Sequence, residues 1–127
     1  MKYIFLSVFL AGYISVAGQN LDCDKFKTGS FTMEDPKTGI NYISRNDLTQ
    51  IEYVPDLGVK VELNVKWVDN CTLELTLKDI LENPNNFPIG EFTLISEIIE
   101  TGQDFYIMES KVADMDLKMV RKFVVEK

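Results

Sequence analysis

The chain has 127 residues, with 20 acidic against 13 basic side chains, a formal net charge of −7, and no histidine. A surface this acidic repels phosphate backbones, and with no basic cluster or basic amphipathic helix, neither nucleic acid nor an anionic membrane is an expected partner. The lack of histidine removes Ser-His-Asp triads and imidazole proton shuttles, and two cysteines without histidine leave no zinc set, so neither a metal nor a cofactor is expected.

In chain order, Met1-Lys2 precedes an apolar run from Tyr3 to Val16 and the small residues Ala17 and Gly18. That order predicts a signal peptide over 1–18, cleaved on export to the periplasm or outside the cell, and an apolar run too short for a stable membrane anchor. The remainder, 19–127, is about 109 residues with 12 basic and 20 acidic side chains, a net charge of −8, enough for one domain with one core. Cys23 and Cys71 both lie in it, and an even cysteine count in an exported chain reads as one disulfide.

Lys25 to Met33 reads as a strand bent at Gly29, then a turn through Pro36 and Gly39, a strand over 40–45, a turn at Asn46-Asp47 and a strand over 49–54 with Ile51 and Tyr53 on one face. The clearest pattern follows: Val59, Val61, Leu63, Val65 and Trp67 alternate with mostly polar residues, and Cys71, Leu73, Leu75 and Leu77 resume the alternation after a short polar loop. This period of two predicts an antiparallel hairpin whose register is firmly set. Asp79 to Gly90, rich in Pro and Asn, reads as irregular, with room for a helical turn before Pro84. Strands over 91–100 and 104–112 follow, apolar on both faces, as expected of strands that are buried on both sides or meet a partner or a second copy. For 114–126 both helical and strand spacings are present, and the β-favouring Phe123-Val124-Val125 points to a strand over 115–125.

Eight candidate strands in sequential hairpins predict an all-β fold, a small antiparallel meander closing into a lipocalin-like barrel, with an open curved sheet or a sandwich as the alternative.

Cys23-x-x-Phe26-Lys27-Thr28-Gly29-x-Phe31, Arg45-Asn46-Asp47-x-x-Gln50-Ile51-Glu52 and Trp67-x-x-x-Cys71-x-x-x-Leu75 together resemble a group of small exported proteins from Bacteroidota with no assigned activity. Members of that group sometimes carry the label DNA topoisomerase IV. A short, acidic, exported domain with no nucleotide site does not suit that chemistry. The resemblance implies a β-rich exported domain.

No catalytic constellation stands out. Glu97, Glu100, Asp104 and Glu109 surround one hairpin and read as solvated strand charges. Arg45 shares strand parity with Ile43, and Arg121 with Met119 and Phe123, so both point toward an interior, where a charge needs a partner or a ligand. Arg45 and Arg121, with Tyr42, Tyr53 and Trp67, are therefore candidates to line a pocket for a small apolar, amphipathic or anionic ligand at one barrel mouth. The function expected is non-catalytic binding, with surface interaction through 91–112 as the alternative.

Overall fold

The computed structural model describes residues 20–127; the expected signal peptide over 1–18 lies outside the described residues. Eight strands follow a single 3₁₀ turn, η1 (Cys23–Phe26): β1 (Gly29–Asp35), β2 (Gly39–Arg45), β3 (Thr49–Val54), β4 (Val59–Trp67), β5 (Thr72–Glu82), β6 (Thr93–Thr101), β7 (Phe105–Val112) and β8 (Lys118–Val125). Each pairs antiparallel with its chain neighbour, and β1 closes on β8 through Phe31↔Val125, Thr32↔Val124 and Met33↔Phe123. The sheet is a closed up-and-down barrel, which rules out the open sheet and the sandwich. It also makes the last segment a strand.

The β4–β5 hairpin keeps the predicted parity, with Leu63 and Val65 facing Leu77 and Leu75 across the ladder and all but Leu77 fully buried. The core runs on through Leu73 of β5 and through Phe31, Ile43, Ile98, Tyr106 and Met108 from the other strands. The last strand begins at Lys118 rather than 115 and β6 at Thr93 rather than 91, and two further differences from the sequence reading shape the barrel. The strand expected from Lys25 begins only at Gly29, because Cys23–Phe26 forms a 3₁₀ turn. Side chains three apart eclipse in such a turn, so Cys23 and Phe26 enter the core together. Gly29, at φ +135°, turns the chain from η1 into β1 with the Phe31 ring packed 3.2 Å from where its Cβ would be.

The second difference is at 79–90. No helical turn forms before Pro84; β5 runs on to Glu82 because register shifts at Lys60/Val61 and Glu62/Leu63 let its end pair with the start of β4. Lys60 Nζ meets Glu82 Oε2 at 3.1 Å there.

The two barrel ends are unlike. At one, η1 lies across the opening and is tied by the Cys23–Cys71 disulfide to the β4–β5 turn. At the other, the turns after β1, β3, β5 and β7 surround an end with no such plug among the described residues.

Candidate functional site

The turn between β2 and β3 sets the site. Asn46 Oδ1 accepts the backbone N–H groups of Leu48 and Thr49 at 2.9 and 2.8 Å, an Asx turn that fixes the hairpin so that Arg45 lies directly opposite Gln50. With Arg45 facing inward, Gln50 and then Glu52 must face inward too, two residues apart on one strand. Arg45 is 4 % exposed and Gln50 2 %.

Arg45 donates from Nε to Gln50 Oε1 at 2.6 Å, from Nη1 to the Phe26 carbonyl at 2.8 Å and from Nη2 to the Tyr106 hydroxyl at 2.9 Å. The rings of Phe31, Tyr106 and Trp67 lie 5.3, 5.8 and 6.0 Å from its guanidinium carbon, so its charge is held by dipoles and π faces rather than by a contacting carboxylate. Because arginine only donates, Gln50 must offer its oxygen to Arg45 and turn its Nε2 to Glu52 Oε1, 2.8 Å away. The result is a relay from Tyr106 at the closed end through Arg45 and Gln50 to Glu52. Burial raises Glu52 above the ordinary carboxylate range, opposed by the Gln50 hydrogen bond and the charge of Arg45. Burial also raises Tyr106, again against the pull of Arg45.

Above this relay the barrel holds a cavity of about 150 Å³. Met33, Leu75, Leu94, Met108 and Phe123 contribute apolar lining, and Arg45, Gln50, Glu52, Ser96 and Ser110 polar lining. The two serine hydroxyls bond to each other at 2.7 Å. Toward the open end, Asp35 Oδ2 accepts from Arg121 Nε and Nη2, both at 3.3 Å, two residues beyond the last β1–β8 pair, while Arg121 Nη1 donates to the Val120 carbonyl. Asp35 Oδ1 takes the N–H groups of Lys37 and Thr38, and these bonds, with Arg121, hold its carboxyl below the usual range.

Of the residues singled out in the sequence, Arg45 and Arg121 line this cavity. Tyr42 and Tyr53 do not: they pair across β2 and β3 on the outer face, ring to ring at 6.4 Å, with Tyr42 39 % exposed, so their place in a lumen pocket is corrected. Trp67 packs against the core near η1, under Lys27 at 4.8 Å and outside the cavity lining. Glu97 and Glu109 pair across the outer face of β6 and β7. Sequence reasoning missed Gln50, Glu52, Asp35, Ser96 and Ser110. A signal for the first two existed, since an inward Arg45 beside a tight turn commits its cross-strand partner to the same side.

Among the described residues, no group of three or more Cys, Asp or Glu side chains is placed to hold a metal ion, and no helix is long and apolar enough to cross a membrane. No family model, curated protein or solved structure matches the chain.

Proposed function

We propose that this is an exported, non-catalytic binding protein that carries one small amphipathic ligand in the cup of its barrel. The observation that carries the reading is the lumen cavity of about 150 Å³, lined by both apolar and polar side chains, with η1 across one barrel end and, among the described residues, no such plug at the other. This is the calyx plan of lipocalin-like carriers, on a small scale. An apolar cavity of that volume takes up benzene, so the ligand has about six to eight non-hydrogen atoms and is not a long acyl chain. The disulfide and the leader-like N-terminal sequence support export.

Native mass spectrometry on protein secreted by a host that processes the leader tests this, by comparing native and denatured masses. A small mass lost on denaturation is expected. A bare monomer overturns the carrier reading and leaves a barrel that works through its surface. A bare dimer overturns it in favour of self-association, with the outward face of β6 and β7, where Ile99 is exposed, as the interface to test.

A further inference from the structure

What the cup can recognise is decided by which of its polar atoms the protein leaves free. All three guanidinium nitrogens of Arg45 donate to protein acceptors, and those of Arg121 donate to Asp35 and to the Val120 carbonyl. Ser96 and Ser110 share one hydrogen bond with each other. Glu52 differs. Its Oε1 takes the Gln50 amide, and among the described residues no donor reaches its Oε2.

Charge pairing makes the same distinction. The cavity holds two carboxylates, Asp35 and Glu52, and Asp35 contacts Arg121 at 3.3 Å. Among the described residues Glu52 contacts no cation, because Gln50 stands between it and Arg45. Glu52 is half-buried, its second oxygen open to the cavity, and a partly desolvated carboxylate without a contacting cation is costly, so a ligand that supplies one gains what the protein does not provide. The net charge of −7 also draws cations toward a cleft and disfavours anions. A bare divalent metal fits poorly, since a single carboxylate is far short of the six to eight oxygens that calcium takes.

We infer that the cup selects a small organic amine, its ammonium seated on Glu52 and its hydrocarbon part against Leu75, Leu94 and Met108. This rests on the carrier reading above and narrows it, and it turns the ligand charge around from the anion that two inward arginines suggest. An ammonium can donate to Oε2 while the carbon body packs on the apolar lining, the two-ended fit that an amphipathic cavity rewards.

The test is calorimetric titration of the secreted protein with three matched probes, benzylammonium, benzoate and toluene, on the wild type and on Glu52→Gln. Glu97→Gln, on the outer face, serves as a surface-charge control. Benzylammonium is expected to bind, and Glu52→Gln to weaken it by at least about tenfold, the range of a charge-assisted hydrogen bond. Glu97→Gln is expected to leave it unchanged. Binding should tighten as pH rises and Glu52 sheds its proton; the groups that face it are Arg45 behind Gln50, Tyr106, and the Asp35–Arg121 pair at the mouth. Because Glu52→Gln removes a desolvated charge, it is expected to fold, and its thermal unfolding verifies this. If benzoate or toluene binds more tightly than benzylammonium, or if Glu52→Gln binds the amine as well as the wild type, the amine assignment is wrong while the cup remains a ligand site. If none of the three binds and native mass spectrometry shows no adduct, the carrier reading fails with it.

Discussion

Replacing Arg45 by Met would remove three hydrogen bonds and a charge from the floor of the cup while keeping a side chain of similar length. The Tyr106 hydroxyl, Gln50 Oε1 and the Phe26 carbonyl would each lose the donor they have now. Each stranded buried group costs about 1–3 kcal/mol. Against this, an uncharged side chain no longer has to be desolvated, which returns several kcal/mol. The net expectation is a loss of about 2–4 kcal/mol, the stranded neutral acceptors outweighing the desolvation recovered. Small domains are stable by about 5–15 kcal/mol, so the variant should fold but unfold at much lower urea. The assay is urea unfolding followed by circular dichroism, with Trp67, the single tryptophan, as a second probe near the substitution. Arg45→Lys should fall between the two, since an ammonium cannot reach three acceptors in a fixed fork. If Arg45→Met lies within about 1 kcal/mol of the wild type at an unchanged denaturant slope, the Arg45 network does not hold the closed end and the reasoning fails.

Three further outcomes follow from the same geometry. Cys23→Ala/Cys71→Ala should lose about 4 kcal/mol, the chain-entropy value for a bridge spanning 48 residues, and a urea midpoint that does not move would show that η1 docks without it. For Glu52 the folded chain holds a proton more tightly than the unfolded chain, whose carboxyl titrates near 4.3. Its contribution is therefore fully present below that pH and lost as pH rises through the raised folded value. Glu52→Gln should thus gain on the wild type with rising pH and then level off, whereas parallel stability curves from pH 3.5 to 9 would place Glu52 in ordinary solvent. Gly29→Ala forces a Cβ into a positive-φ position and against the Phe31 ring, a loss of about 1–3 kcal/mol by thermal or urea unfolding, and a neutral result would mean that the β1 entry relaxes freely.

How much of this could be read from residues alone depends on whether pattern and environment agree. In β4 and β5 they do: the apolar residues face the core, so strand, face and pairing were all legible. The disulfide was legible from cysteine count and compartment. The η1 plug was not, because Phe26 and Phe31 are both buried aromatics and their spacing does not tell a strand from a 3₁₀ turn that ends at a glycine. The end of β5 was hidden by Asp79, Asn83 and Pro84, which read as loop, while the bulges that extend the pairing have no sequence mark of their own. Inward Arg45 was legible from parity, but its partners come from β3, β7 and η1, and such convergence is a property of barrel closure.

The strongest disagreement between pattern and structure lies in β2 and β3, and it coincides with the site. Along β3, Gln50 and Glu52 point into the barrel while Ile51 and Tyr53 point out; along β2, Asn41 and Arg45 point in while Ile40 and Tyr42 point out. In β3 hydrophobic alternation alone would favour the opposite face, which a one-residue slip would provide, whereas in β2 Ile43 shares the inward face with Asn41 and Arg45. The Asx turn at Asn46 and the three bonds of Arg45 hold the register against that preference. A polar floor of this kind is a poor route to stability, since well-packed apolar residues of similar volume do as well or better than buried charges. Sites where local pattern and global fold conflict are where function is expected to set the sequence. Here the conflict places one carboxylate oxygen, without a donor among the described residues, at the barrel cavity, so the inverted face of β3 and the proposed ammonium seat have the same explanation.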